Sequence, residues 1–224
     1  MPKKMNAPEE DETLNFYTKD QLIHFLKCLE QEYNFKIYSF FRLLAFSGIR
    51  KREALALALT WNDVNFKEKE IRVNKALARG ENNRLYVKTT KTKASVRTIQ
   101  MDEKTMEILL EWRAKQKIDY FKLGFNTLQP QQLLFSNANN ELLQPTKTRK
   151  WILQIQKKYN LELITTQGLR HTHCSLFFEA GATIKEVQER LVHSDIQTTM
   201  NIYAHVTEKA KEEAIQRFSD YMNF

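Results

Sequence analysis

Hydrophobic positions fall at helical spacing in the first third of the chain and again through its last third, with an alternating segment between them. In "LNFYTKDQLIHFLKCLEQ", Leu22, Ile23, Leu26 and Leu29 share a helical face, and Thr18 with Gln21 makes a capping-box start. "FKIYSFFRLLAFSG" predicts a second, more deeply buried helix. "IRKREALALALTW" predicts a third that begins just after Gly48 and reaches Trp61. The period then changes to two: "DVNF", "EIRVNKAL", "RLYVKTT" and "SVRTIQ" alternate or favour β-branched residues, which predicts a small antiparallel meander. Asp102 caps a long helix to about Leu123, followed by a brief strand at "QLLFS", a turn at "NANN" and a helix from Pro145 or Thr146 to about Tyr159. Beyond these, "GLRHTHCSLFFEAG" ends at Gly181, a natural C′ residue, and Thr183 caps "IKEVQERLV". "IQTTMNIYAHV" and "TEKAKEEAIQRFSDYM" complete the helical part. The opening residues "MPKKMNAPEEDET" carry charge and almost no large apolar groups, which predicts a flexible tail over residues 1–14. The fold class is therefore α+β: mostly α-helical, with one small antiparallel sheet, over residues 15–224.

Composition narrows the function classes. A 224-residue chain with 42% hydrophobic and 28% charged residues has the balance of a soluble globular protein with a real core. No apolar run is long enough to span a bilayer and no secretory signal opens the chain, so a membrane role is not expected. Cys28 and Cys174 lie far apart without C-x-x-C spacing, which excludes a disulfide framework and suits a reducing cytoplasm. The net charge of +8 is concentrated: from Lys67 to Gln100 there are ten basic residues against three acidic ones. Such a patch points to a polyanion, most often nucleic acid, although a solvated charged hairpin has the same composition.

In "TTMNIYAHV", Tyr203 is a lone tyrosine in a short polar helical segment, two residues ahead of His205. It reads either as an amphipathic core residue with its hydroxyl at the surface or as a nucleophile. Tyrosine is weak in the second role, because phenols ionise near pH ~10, so other residues must assist it. The blocks "SGIRKREALAL", "TTKTKASVRTI" and "GLRHTHCSLFFEAGATIKEVQERLVHSDIQTTMNIYAH", in that order and spacing, resemble the signature blocks of the tyrosine recombinase family. The similarity is greatest to integrases of bacteriophages and conjugative elements, and it runs from about Asn15 to the end, a whole catalytic domain. That resemblance implies a site-specific recombinase that breaks and rejoins double-stranded DNA at attachment sites through a covalent 3′-phosphotyrosine, with neither metal nor ATP. It also implies integration or excision of a mobile element by a homo-oligomer, a tetramer on DNA.

The resemblance assigns roles that elementary chemistry supports. Negative charge grows on the phosphate oxygens as a nucleophile attacks, so fixed cations are needed, and guanidinium groups give bidentate bonds without deprotonating. Arg50 and Arg170 match the family's two arginines. The alternatives are a solvent-facing Arg50 paired with Glu53 along the helix, and a structural ion pair for Arg170. Lys91 matches the lysine that protonates the leaving 5′ oxygen; Lys93, two residues on, shares its strand face and remains a second choice. His193 matches a histidine that hydrogen-bonds a phosphate oxygen or the nucleophile, and Tyr203 is the nucleophile. His171, His173 and His205 read as structural. A metal site built from His171, His173, Cys174, His193 and His205 is disfavoured, because i and i+2 on a helix point to different faces.

Three positions depart from the family pattern. Gln167 stands where the family has histidine; an amide donates a hydrogen bond but carries no proton at useful pH. Val192 stands where glycine is usual, which displaces His193 if the backbone there requires positive φ. "EALALALTW" is longer by one Ala-Leu pair. No segment corresponds to the family's N-terminal DNA-clamping domain, so weak DNA binding is expected from this chain alone. These features keep two other readings open: a catalytically impaired DNA-binding decoy with the same fold, and a partner module. For the latter, Ala210, Ala214, Phe218 and Met222 form a C-terminal stripe able to bury itself in a neighbouring subunit or against its own chain.

Overall fold

A computed structural model describes residues 15–32, 34–56, 59–80, 85–89 and 96–191, together with 200, 202–204, 206, 219 and 221–222. The predicted tail, Leu57 and Ala58 within the lengthened "EALALALTW", and Lys91, Lys93, Val192, His193, His205, Ala210, Ala214 and Phe218 lie outside the described residues. Among the described residues no helix is long and apolar enough to cross a membrane.

The centre of the fold is α2 (Phe35–Ser47), whose sequence is apolar nearly all round because it is covered on several sides. It packs against α1 (Lys19–Gln31), α4 (Glu103–Lys122) and α6 (Gly168–Glu179). The predicted start signals are used as read. Thr18 and Gln21 form a reciprocal capping box on α1, and the Asp102 carboxylate accepts the Thr105 N–H at 2.9 Å to open α4. Helix α5 (Pro145–Lys158) has proline in its first turn, and α7 (Ile184–Leu191) is capped by Thr183, which exchanges hydrogen bonds with Glu186. Gly181 follows α6 at φ +93°.

Three expectations are corrected. Helix α3 (Lys51–Ala56) does not run to Trp61: Leu59 and Trp61 leave the helix to pair with a distant segment. The Leu59 carbonyl accepts the Leu134 N–H at 2.6 Å and the Trp61 N–H donates to the Gln132 carbonyl at 3.1 Å. Residues Trp61–Asp63 then form a 3-10 turn, and the predicted strand at Gln132–Ser136 is reduced to isolated bridges. The strands do not form one meander either. β1 (Val64–Asn65), β2 (Glu70–Val73) and β5 (Arg97–Gln100) make an antiparallel sheet in the order β1-β2-β5, while β3 (Lys75–Arg79) and β4 (Leu85–Thr89) form a separate hairpin. "EIRVNKAL" is thus two strands divided at Asn74. The chain leaves the sheet for the hairpin and returns to place Ile99 opposite Ile71 and Arg97 opposite Val73.

Apolar contacts divide into two clusters. The larger runs from Tyr17 through α1, α2, the sheet and α4 to Leu169; the smaller joins Cys174 and Phe178 of α6 to Val187 and Leu191 of α7 and to Ile202. Helix α6 belongs to both, so it fixes the C-terminal part against the body of the fold. Its start is tied down by the first described residues: Asn15 accepts the Thr165 N–H, and the Tyr17 N–H donates to Thr172 Oγ1 at 2.9 Å. Gly168 is needed there because a Cβ would lie 2.6 Å from the Asn15 carbonyl.

Candidate active site

The site is assembled around the turn after α2. Gly48 takes up φ +64°, which ends the helix and directs Ile49 and Arg50 back toward α6. There is no room for any side chain at this position: a Cβ would meet Leu191 Cδ2 at 2.5 Å and His173 Cδ2 at 2.6 Å. The freed Gly48 carbonyl accepts a hydrogen bond from Arg170 Nη1 at 2.7 Å, and Arg170 Nη2 donates to the Leu191 carbonyl at 2.8 Å. Arg170 is buried and its fork joins α2, α6 and α7 through backbone oxygens, not through the ion pair considered from sequence. Burial, and after it repulsion from Arg50, pushes this guanidinium down to about 9, with Glu53 opposing; it is still a cation at neutral pH.

Arg50 immediately precedes α3, and its carbonyl accepts the Glu53 and Ala54 N–H groups. Its own N–H donates to Glu53 Oε2 at 2.8 Å, and its Nη1 donates to Oε1 at 3.2 Å. The pairing with Glu53 considered from sequence therefore exists, yet its setting is not a solvated helix face. Glu53 is buried, and Arg97 places a fork on the same carboxylate, Nη1 to Oε1 at 3.1 Å and Nη2 to Oε2 at 2.8 Å. Burial alone would raise the Glu53 pKa. The hydrogen bonds and charge of Arg97, aided by Arg50, outweigh it and hold the carboxyl below its ordinary value.

Arg97, one of the basic residues counted in the patch from Lys67 to Gln100, also joins the candidate site. It belongs to β5, where Arg97 and Ile99 are buried and Thr98 and Gln100 exposed. A charge at an inward position of a two-residue alternation requires a buried partner, and that was the available signal.

Gln167 stands just before α6, half-buried, with helical backbone angles and no side-chain capping bond. It lies three residues from Arg170, on the same helical face. Tyr203 is also half-buried and packs at the edge of the smaller cluster, its ring against Phe178 at 5.1 Å in an edge-to-face contact. That cluster contains Leu191, whose carbonyl Arg170 holds. The structure thus gathers Arg50 and Arg170, with Glu53 and Arg97, about one turn, and packs Tyr203 against Phe178 of α6, the helix that carries Arg170.

His173 is structural, as expected, and its contacts define its state. Arg190 Nε–H donates to Nε2 at 3.0 Å, so the ring proton is on Nδ1, which donates to the Ala45 carbonyl at 2.9 Å. Burial, then the positive charge of Arg190, lowers its pKa from 6.5 to about 4, although the Ala45 carbonyl opposes the shift. The unfolded chain therefore binds a proton between these values that the folded chain refuses. The stability from neutral His173 is complete above pH ~6.5 and is lost as pH falls toward 4, on the order of 3 kcal/mol in all. Urea unfolding at pH 7 and pH 4.5 checks this: the wild type loses most of that stability over the interval, and His173→Gln loses much less.

Residues 15–210 match the phage integrase family, and the chain belongs to it. The integrase of Staphylococcus phage L54a is 30% identical over 237 residues, covering 97% of this chain and 64% of that protein. A XerC-like tyrosine recombinase of Caldanaerobacter subterraneus subsp. tengcongensis is 31% identical over 189 residues, covering 80% of this chain and 48% of the other. The chain spans about half to two thirds of the length of these relatives. The fold is similar to that of the Tn1549 transposon integrase, solved in complex with a circular intermediate DNA, with a TM-score of 0.75 and 24% identity over 95% of this chain and 68% of that one. XerA recombinase superposes with a TM-score of 0.69 and 20% identity, over 95% of this chain and 66% of the other.

Proposed function

We propose that the chain is the catalytic domain, residues 15–224, of a site-specific recombinase that breaks and rejoins double-stranded DNA through Tyr203. The observation that carries this reading is the convergence of Arg50 and Arg170 on the Gly48 turn. Among the described residues, the three guanidinium groups there share one carboxylate, and the positive charge they bring is what a bound phosphodiester would relieve. Family membership and the DNA-bound integrases of like fold support the same substrate.

In the proposed step the Tyr203 hydroxyl oxygen attacks phosphorus and gives up its proton to solvent water. The bond from phosphorus to the 5′ oxygen breaks, and Lys91, with Lys93 as the second choice, protonates the leaving 5′ oxygen, which departs as a hydroxyl. Arg50 and Arg170 bind the non-bridging oxygens as their charge grows, and His193 hydrogen-bonds the same phosphate. Gln167 adds an amide N–H; it transfers no proton, so the chemistry here does not depend on an acid at that position. Attack by another 5′ hydroxyl on the phosphotyrosine reverses the step and joins a new pair of strands. No metal or other cofactor enters it. Assembly as a tetramer on DNA, with the C-terminal stripe ending at Met222 reaching a neighbouring subunit, belongs to the same proposal, as does a cytoplasmic setting.

The experiment is covalent trapping. A nicked duplex carrying the element's attachment site lets the cleaved 5′ fragment diffuse away, so a protein–DNA adduct accumulates on a denaturing gel. The chain forms that adduct in the presence of a chelator. DNA binding without adduct would instead support the decoy reading.

A further inference from the structure

We propose that Arg97 is a positioning residue for the cleavage step: by occupying Glu53, it leaves Arg50 oriented but still cationic toward a bound phosphate. The inference rests on the reading of the site given under Proposed function.

Glu53 does two things to Arg50. It accepts the Arg50 backbone N–H and Nη1, which fixes both the turn and the guanidinium. It also brings a full negative charge against the residue that is meant to attract a phosphate. Alone with Arg50 in a buried setting, such a carboxylate would form a closed ion pair and neutralise it. The Arg97 fork prevents this. Both Glu53 oxygens already receive Arg97 bonds of 3.1 and 2.8 Å, so the carboxylate's charge is satisfied from the sheet side. The Arg97 and Glu53 side chains are 7% and 9% exposed, against 33% for Arg50, so the buried pair is closed to solvent while Arg50 faces outward. Arg97 is held for this task by its backbone, since β5 pairs with β2 at Val73 and presents the side chain inward. Its Nε is buried without a hydrogen-bond partner among the described residues, so both terminal nitrogens are committed to one carboxylate and the guanidinium binds end-on.

The test measures single-turnover adduct formation on the nicked duplex at saturating DNA, with DNA affinity and melting temperature for each variant. Arg97→Gln frees the Glu53 charge to neutralise Arg50, and the cleavage rate falls by about 100-fold while DNA affinity changes little. Arg97→Lys keeps the charge but not the two-point fork, so its rate falls between those of the wild type and Arg97→Gln. The double variant Glu53→Gln with Arg97→Gln removes both opposed charges, restores the surplus at Arg50 and Arg170, and regains most of the rate. If Arg97→Gln does not fold, the lysine and double variants decide the matter by the same criteria. A folded Arg97→Gln that cleaves at the wild-type rate, an Arg97→Lys as slow as Arg97→Gln, or a folded double variant without recovery overturns the inference. Failure of the unsubstituted chain to form any adduct overturns the reading of the site, and the inference with it.

Discussion

Arg170→Lys lowers single-turnover cleavage by about a thousandfold and destabilises the fold by about 2 kcal/mol. Arg170 spans two carbonyls, Gly48 and Leu191, that belong to different elements, at 2.7 and 2.8 Å. A lysine ammonium is a point charge on a single stem and lacks the planar fork that reaches both oxygens at once. One carbonyl is left without its charged donor. A hydrogen bond to a charged group contributes about 1.5–3 kcal/mol, which sets the stability loss. The rate suffers more, because the variant removes a guanidinium donor from the proposed phosphate site and also loosens α7, which precedes the segment carrying Tyr203. Denaturant unfolding and the adduct time course separate the two effects. A folded Arg170→Lys protein with a wild-type rate contradicts the role assigned to the fork.

Gly48→Ala has the second large effect, a loss of about 3 kcal/mol, or roughly 6–12 °C in melting temperature for a chain of this size. Two causes add. The left-handed φ of +64° costs an alanine about 1–2 kcal/mol, and the new methyl meets Leu191 and His173 side-chain atoms at 2.5 and 2.6 Å. Gly181→Ala is the internal control: it has φ +93° but nothing within 4 Å of the new Cβ, so it carries strain without the clash and loses less. Calorimetry on the two variants distinguishes the contributions. Because Gly48 is also the Arg170 acceptor, Gly48→Ala slows cleavage and Gly181→Ala does not.

Local features of the fold were legible in the sequence because their causes are local. Thr18 with Gln21, Asp102 and Thr183 cap the helices they were expected to cap, since each needs only a side chain and the N–H groups three residues on. The end of α3 was not legible. Nothing within "EALALALTW" forbids a longer helix; it stops because Leu59 and Trp61 exchange backbone hydrogen bonds with residues 132 and 134, a tertiary cause. The pairing of β2 with β5 across an intervening hairpin was hidden for the same reason, because alternation gives the face of a strand and not its neighbour.

The site divides in the same way. The motif blocks point to Arg50, Gln167, Arg170 and Tyr203 as candidates, but they do not say what holds each residue. That Arg170 uses backbone carbonyls depends on Gly48 turning its own oxygen toward α6. That Glu53 serves two arginines depends on a β5 position facing inward. "SVRTIQ" was counted as part of a basic surface, and Arg97 is instead buried. A charged residue in phase with Ile99 was the clue within the sequence.

The Arg50–Arg170 turn and Tyr203 are proposed to serve one phosphate. Peptide mapping by mass spectrometry of the covalent complex trapped on a nicked duplex tests it most directly. The expected result is a single modified peptide bearing a 3′-phosphonucleotide on Tyr203, a free 5′ hydroxyl on the released strand, and no adduct from Tyr203→Phe. An adduct on any other residue, or one that survives Tyr203→Phe, would contradict it.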